Sequence, residues 1–180
     1  MDQAITLENI LSFLLDTHLF EALDPIELSE VVKVMQIQRL RDGQSVFREG
    51  DVGDAWYVIY EGEMDVFKAN AFGSSRAIAT LEPHACFGEM AVLDGSERSA
   101  TVQARGGTTL FRFPREPFQS LIDEGSLAAY KLIYGMAQVL CKRQRTVNQQ
   151  YSEATSEEPA ERSAIRRRLD TLLDSYTISE

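Results

Sequence analysis

Residues 87–102 read Phe87-Gly88-Glu89-Met90-Ala91-Val92-Leu93-Asp94-Gly95-Ser96-Glu97-Arg98-Ser99-Ala100-Thr101-Val102. A Phe-Gly-Glu triplet opens this segment, a short apolar turn follows, and an Arg-Ser-Ala triplet begins nine residues after Glu89. Such a loop supplies free backbone N–H groups, one carboxylate acceptor and one fixed cation within a small volume. We therefore expect it to bind a ligand that carries both a hydroxyl and a phosphate.

Short strand-like pieces surround this segment. Glycines break residues 37–50 into extended pieces, and residues 56–60 and 64–68 predict two strands separated by Glu61-Gly62-Glu63. Residues 69–76 predict an exposed hairpin loop, and residues 76–81 a returning strand. After the segment, residues 100–104 and 108–113 predict a pair of strands around Gly106-Gly107. Many short strands at this spacing predict an antiparallel barrel or jelly roll.

Helices are predicted at both ends of this β region. Apolar spacing predicts a helix over residues 5–15, and Asp24-Pro25-Ile26-Glu27 predicts a helix start with a capping box. Residues 116–122 predict a short helix and residues 126–151 a long one, whose apolar face comprises Leu127, Tyr130, Leu132, Ile133, Met136, Val139 and Leu140. Residues 152–161 predict a polar linker, and residues 162–176 a short amphipathic helix or a frayed end. The fold class is thus mainly β with flanking helices (α+β).

Composition limits the function classes. The chain has 180 residues, with 28 acidic and 18 basic residues and a formal charge of -10. Such acidity argues against non-specific nucleic-acid binding and against docking on anionic membranes. Cys86 and Cys141 lack metal-ligand spacing and, with His18 and His84 as the two histidines, predict no metal site. No activated nucleophile or Walker-type loop is visible, so we expect no enzyme activity.

The first twenty residues contain no Lys or Arg, so no secretory signal is predicted. The apolar runs are far shorter than a membrane span. We expect a cytoplasmic protein in which both thiols are reduced.

Two features together resemble the cyclic nucleotide-binding domain family over roughly residues 19–150. One is the Gly-punctuated series at residues 42–43, 48–51, 53–54 and 60–63, and the other is the segment 87–102, which is similar to the family's phosphate-binding cassette. The resemblance implies a β-jelly roll flanked by helices, with residues 126–150 as a lid helix. It divides the chain into an N-terminal helix (1–18), a cyclic nucleotide-binding domain (19–151) and a linker with a short tail (152–180).

The resemblance also implies roles for residues of the cassette. Glu89 would bind the ribose 2′-hydroxyl and Arg98 the cyclic phosphate, and backbone N–H groups near residues 88–91 and 99–100 would assist. The predicted ligand-binding residues in the cassette are Phe87, Gly88, Glu89, Met90, Ala91, Arg98, Ser99 and Ala100. For Met90, Val92 and Leu93, packing under the loop competes with ligand contact and is the favoured interpretation.

Base recognition is expected from outside the cassette. Ala79 and Leu81 on the preceding strand are candidates to line the base. Arg143 and Gln144 are candidates on the lid helix, where the apolar face becomes polar and an Arg could stack on a purine. The competing interpretation is a solvated basic helix end that complements the helix dipole.

The resemblance favours cyclic AMP over cyclic GMP, because Ser99 stands where cyclic-GMP-selective members often carry Thr. The acidic run 94–97 beside the phosphate position, and Glu97 in particular, leaves open another cyclic nucleotide or dinucleotide, or a degenerate site. No cofactor other than this regulatory ligand is expected.

The expected role is that of a non-enzymatic sensor that signals through the lid helix and tail to a protein partner. About thirty residues follow Gln150, so no helix-turn-helix and no nucleic-acid readout is expected. The alternative is a protein–protein adaptor whose cassette no longer binds nucleotide. The apolar face of the lid helix could pack on its own β-domain or form a symmetric homodimer.

Overall fold

A computed structural model of the chain describes residues 5–70, 73–156 and residue 168. Its helices are α1 (Leu7–Leu15), a 3₁₀ turn (His18–Phe20), α2 (Pro25–Lys33), α3 (Glu89–Asp94), α4 (Arg115–Asp123) and α5 (Leu127–Ser156). Its strands are β1 (Gln36–Leu40), β2 (Ser45–Phe47), β3 (Ala55–Ala69), β4 (Ser75–Leu81), β5 (Cys86–Phe87) and β6 (Thr101–Pro114). Apart from residue 168, the predicted tail helix at 162–176 lies outside the described residues, as do residues 157–161 of the predicted linker. The linker prediction is wrong for residues 152–156, which continue α5.

The six strands form an antiparallel sheet in the order β1-β6-β3-β4, with β2 paired to β6 and β5 paired to β3. The predicted antiparallel β fold with flanking helices is therefore confirmed. Strands β3 and β6 pair along almost their whole length, from Ala55↔Pro114 to Phe67↔Thr101. Strand β3 begins directly after the loop that contains Asp54, and β6 begins at Thr101, at the end of the cassette.

The number of strands differs from the prediction. Residues 56–60 and 64–68 belong to the single strand β3, and residues 100–104 and 108–113 belong mostly to the single strand β6. The register between the two strands shifts around Glu61 and Glu63, and a side chain at Gly62 would collide with Thr108 on β6. Gly62 therefore permits a close bulge rather than a turn, and the ladder continues past it.

The helix predicted over residues 5–15 is confirmed as α1, which begins at Leu7, and the predicted start of α2 at Asp24 is confirmed. The Asp24 carboxylate accepts hydrogen bonds from the backbone N–H groups of Ile26 and Glu27 at 2.8 and 2.9 Å. Glu27 in turn accepts the Asp24 N–H at 2.8 Å, which completes a capping box with Pro25 at the first helical position. Such caps satisfy N–H groups that the helix itself cannot pair.

Two hydrophobic clusters lie on opposite faces of the sheet. The helix-side cluster joins α1, α2, α4 and the start of α5 to Trp56, Val58, Phe111 and Phe113. The barrel-side cluster contains Leu40, Ala55, Tyr57, Ile59, Met64, Phe87, Val102, Ala104 and Leu110, with Phe47, Val66 and Leu81 among the residues packed on it. Alternate residues at the start of β3 thus pack in different clusters, because successive side chains of a strand point to opposite faces of the sheet.

The chain forms two compact units, Met1–Ala137 and Gln138–Glu180, and α5 contributes to both. In the first unit, the predicted apolar face of the long helix is partly wrong: Leu132 and Met136 are buried, but Leu127 and Tyr130 are exposed and Ala128 and Ala129 are buried instead. Both alanines belong to the helix-side cluster. The predicted domain boundaries at 18/19 and 151/152 stay predictions.

None of the helices in the described part combines the length and apolar character needed to cross a membrane. Among the same residues, no group of three or more His, Cys, Asp or Glu side chains is arranged to hold a metal ion.

Candidate functional site

The cassette begins where the chain turns from β5 into α3. Gly88 caps α3 with φ of 75° and ψ of 5°, a left-handed conformation that costs an L-residue with a side chain. A Cβ at Gly88 would lie 2.8 Å from Nη1 of Arg98 and 3.2 Å from the Phe47 ring. Gly88 is therefore required both by the backbone turn and by the close approach of Arg98.

Arg98 points into the protein and not into solvent. It is 2% exposed, and its guanidinium donates to the Gly88 carbonyl at 2.7 Å, the Ala55 carbonyl at 2.7 Å and Asp54 Oδ1 at 3.1 Å. These three hydrogen bonds tie the end of the cassette to its beginning, to the start of β3 and to Asp54 just before it. An ordinary surface ion pair would leave the guanidinium in water.

One donor of this buried guanidinium has no acceptor. The Arg98 Nε–H group is buried without a hydrogen-bond partner. A buried N–H group that lacks an acceptor is destabilising, and the oxygen of an anion is the acceptor that a guanidinium binds best. Phosphate binding by Arg98, as expected for the cassette, stays a prediction.

Aromatic rings surround the Arg98 guanidinium. Its central carbon lies 4.1 Å from the centroid of the Phe47 ring and 5.8 Å from that of Tyr57. The rings of Phe47, Tyr57 and Phe87 lie 5.2 to 6.0 Å from one another. We call these three residues the aromatic cradle; it connects the barrel-side cluster to the cassette.

Asp54 joins Arg98 to a second arginine. Its Oδ1 accepts from Arg98, and its Oδ2 accepts from Nη2 of Arg112 at 2.7 Å. Burial raises the pKa of the Tyr57 hydroxyl, and the charge of Asp54 raises it further. Burial opposes the charged form of Arg112, but hydrogen bonds to Asp54 and Tyr57 raise its pKa above the ordinary value. The Arg112 guanidinium therefore stays charged.

A second set of contacts holds the far end of the cassette. Nζ of Lys68 donates to the Ser99 carbonyl at 2.7 Å and to Oε1 of Glu49 at 2.6 Å. Glu49 Oε2 accepts the Ala69 N–H at 3.0 Å. The Lys68 hydrogen bond and the Ala69 N–H lower the pKa of Glu49, so the carboxylate stays ionised. Lys68 therefore fixes the backbone next to Arg98.

The structure brings most predicted cassette residues together. Phe87, Glu89, Ala91 and Arg98 are buried, Gly88 and Ala100 are half-buried, and Ser99 is exposed. Glu89 is 2% exposed and is the first residue of α3. Met90 is 46% exposed, so its interpretation as core is wrong, whereas Val92 and Leu93 do pack on the helix-side cluster. The acidic side chain of Glu97 is exposed, and its backbone pairs with Val52.

The residues predicted to contact the base lie outside the cassette. On β4, Ala79 is exposed and pairs with Val66, and Leu81 is half-buried and packs on the barrel-side cluster. Arg143 and Gln144 lie on α5 in the second unit, where Gln144 donates to Asn148 Oδ1 at 2.9 Å. Base contact by these four residues stays a prediction.

Sequence reasoning missed Asp54, the Phe47 ring and Lys68. Asp54 was part of the Gly-punctuated series, but nothing in the series gives it a role, since its partner Arg98 lies 44 residues further along. Phe47 could have been noticed as an aromatic residue at the end of a strand. Lys68 stands on the polar end of β3, where a cation normally indicates only a solvated edge.

The chain is similar to known proteins in both sequence and fold. The sequence model of the family described as cyclic nucleotide-binding domain matches residues 37–125. The cyclic AMP receptor protein of Thermus thermophilus is 33% identical over 146 residues, which are 81% of this chain and 66% of that protein.

Two solved structures are similar. The Thermus thermophilus catabolite activator protein aligns with a TM-score of 0.67 and 30% identity, over 76% of this chain and 62% of that one. The regulatory domain of Toxoplasma gondii PKA, solved with cAMP, aligns with a TM-score of 0.59 and 28% identity, over 66% of this chain and 45% of that one.

This chain therefore spans less than two thirds of these relatives' own length. The region matched by the family model, residues 37–125, contains the whole cassette with its buried Arg98. The chain belongs to the cyclic nucleotide-binding domain family.

Proposed function

We propose that the protein is a non-enzymatic sensor of cyclic AMP. The observation that carries the proposal is the Arg98 guanidinium, which is buried in the cassette and keeps one N–H group without an acceptor. A cyclic phosphodiester supplies an anionic oxygen for that donor, and Glu89 supplies an acceptor for a ribose hydroxyl. The relatives named for cyclic AMP support the choice of base.

Isothermal titration calorimetry of the full chain with cyclic AMP, cyclic GMP and a cyclic dinucleotide tests this proposal. We expect saturable binding of cyclic AMP, weaker binding of cyclic GMP and none of the dinucleotide. Absence of heat from all three at millimolar ligand would refute the sensor, and a preference for the dinucleotide would correct the ligand.

The role of Arg98 is tested by Arg98→Met, which keeps much of the side-chain length and removes the charge. Removing one partner of a buried charge–phosphate pair costs about 2–5 kcal/mol of affinity, or roughly 30-fold and more in Kd. Arg39→Met is the matched control, because Arg39 is exposed on β1. Circular dichroism checks that both variants fold, and Arg98→Lys provides a second variant that keeps the charge but not the paired donors.

The role of Glu89 is tested with 2′-deoxy cyclic AMP. If Glu89 accepts a hydrogen bond from the 2′-hydroxyl, the deoxy ligand binds wild type more weakly, and Glu89→Gln loses most of that discrimination. A double-mutant cycle over ligand and residue measures the coupling directly. Additive effects of the two changes would contradict the assignment.

We further propose that ligand binding is transmitted through α5 to a protein partner. The first turns of α5 are held to α2: Lys131 Nζ contacts both Glu27 oxygens at 2.7 Å, and the Ser126 hydroxyl donates to Glu30 at 2.8 Å. These contacts offer a two-state element that a ligand could bias by its differential affinity. Hydrogen exchange of α2 and α5 with and without cyclic AMP tests this, and identical protection would count against it.

Two finer points accompany the proposal. Leu127, Tyr130 and Tyr134 are exposed on α5, which supports either a homodimer or a partner surface on this helix. Light scattering distinguishes a dimer from a monomer. A cytoplasmic location stays a prediction.

One observation favours a second candidate function, an adaptor with a degenerate cassette. Arg98 already donates to three acceptors of the protein itself. In that case calorimetry finds no ligand, and the same partner is captured with or without cyclic AMP.

A further inference from the structure

The contact between Arg98 and Phe47 has a role beyond packing. The Arg98 guanidinium carbon lies 4.1 Å above the Phe47 ring, well inside the distance of about 6 Å for a cation–π interaction. Phe47 ends β2, is half-buried, and packs on the barrel-side cluster. The cation and the ring are thus brought together by two separate segments of the fold.

The hydrogen bonds of Arg98 compensate the burial of its charge only in part. A guanidinium has five N–H donors, and here one of them, Nε–H, is buried without an acceptor. Asp54 is a carboxylate that contacts Arg98, but its side chain is 62% exposed and its other oxygen binds Arg112. A buried charge with a shared, solvated counter-ion is only partly compensated. The face of the Phe47 ring supplies attraction that these groups do not.

We propose that Phe47 is a positioning residue that holds the Arg98 guanidinium inside the cassette before the ligand arrives. The inference rests on the proposed function, because it assigns the phosphate to Arg98. If the ring attraction is weakened, Arg98 spends more time swung out into water, and only the remaining fraction of molecules can bind. The apparent Kd rises by the inverse of that fraction.

A purely steric role for Phe47 predicts a different result. The ring also lies 5.9 Å from Tyr57 and 6.0 Å from Phe87, so it fills space in the aromatic cradle. Fluorine substitution separates the two roles, since it withdraws charge from the ring face and changes ring size very little. Phe47 is therefore replaced by phenylalanine carrying one, two or three ring fluorines.

The first arm of the experiment needs no ligand. The Arg98 Nε–H resonance of the free full-length chain, assigned by its loss in Arg98→Lys, reports where the guanidinium lies. We expect a slowly exchanging resonance, displaced by the ring current of Phe47, whose exchange accelerates with each added fluorine and in Phe47→Leu. Phe47→Tyr, which keeps the ring face, preserves it. An unchanged resonance in the fluorinated series and in Phe47→Leu overturns the proposal, whatever the protein binds.

The second arm measures cyclic AMP affinity in the same series. We expect Kd to rise with each fluorine and to be weaker by roughly 5- to 30-fold with three, which is the range for a desolvated cation–π contact. The same three fluorinated residues at Phe111, which is buried in the helix-side cluster, are the matched control and should change Kd less than twofold. A flat series at Phe47, or equal effects at both sites, overturns the role of the ring in ligand binding. If wild type binds no cyclic nucleotide, the proposed function fails while the first arm still decides whether Phe47 positions Arg98.

Discussion

Replacing Gly88 by alanine is the sharpest single test of how the cassette is built. The added methyl group would lie 2.8 Å from Arg98 Nη1, 3.2 Å from a ring carbon of Phe47 and 3.3 Å from one of Tyr57. All three neighbours belong to a packed site, so relief requires the guanidinium to move away from the Gly88 carbonyl. The same substitution also places a side chain on a residue with φ of 75°.

The expected cost has two parts. A side chain in the left-handed conformation costs about 1–2 kcal/mol. Displacing a buried charged donor from its acceptor adds about 1–3 kcal/mol. The sum of about 2–5 kcal/mol is a large share of the 5–15 kcal/mol by which a typical domain is stable. We therefore expect a protein that still folds, unfolds at markedly lower urea, and binds cyclic AMP weakly.

Gly106→Ala is the matched control for the backbone part. Gly106 has φ of 77°, but a Cβ there would meet no atom within 4 Å. Urea unfolding of both variants isolates the contact part as a difference of about 1–3 kcal/mol. In the Arg98→Met background, the penalty for Gly88→Ala should fall toward that for Gly106→Ala, because the guanidinium is gone. Equal costs at the two glycines, or additive effects of Gly88→Ala and Arg98→Met, would refute the reasoning.

Three further predictions use simpler measurements. Lys131→Met leaves the Glu27 carboxylate without its cation and should destabilise by about 1–3 kcal/mol in urea unfolding; an effect below the error would show that the contact is not formed in solution. The Arg105 hydrogen bond lowers the pKa of Asp65 below 3.8, so this carboxylate stabilises the fold above pH 3.8 and the stabilisation is lost as pH falls through the lowered pKa. Asp65→Asn should therefore make the stability depend less on pH in that range, and an unchanged acid-unfolding curve would contradict the shift. Lys68→Met removes the clamp on a cassette carbonyl and should weaken cyclic AMP binding up to about fivefold, with no loss counting against the clamp.

Local sequence predicted the features that local physics decides. The capping box at Asp24 follows from three side chains in adjacent positions, and the structure confirms it. The cassette was found because Gly88, Glu89 and Arg98 lie within eleven residues. The antiparallel β fold followed from strand-like pieces with regular glycine punctuation.

Contacts between distant segments were not predictable in the same way. Gly62 fits a turn and a bulge equally well, so only pairing with β6 shows that β3 continues past it. Arg98 could have pointed into water, because its spacing from Glu89 does not fix its direction. Its acceptor at Ala55 and its ring at Phe47 come from strands far away in sequence. Leu127 and Tyr130 fit an apolar helix face by their spacing, but both are exposed. The small side chains of Ala128 and Ala129 are buried instead.

The state of Arg98 connects stability to binding. A buried N–H group without an acceptor costs about 1–3 kcal/mol, and the free protein bears this cost at Nε. An anion that supplies the acceptor removes the cost, so part of its binding free energy is relief of a strain that exists beforehand. Because Asp54 contacts both Arg98 and Arg112, a ligand that draws Arg98 away from Asp54 would leave that carboxylate to Arg112 alone. We therefore expect cyclic AMP binding to change the contacts of Arg112 on β6, and a change in the Arg112 side-chain resonances on titration tests this.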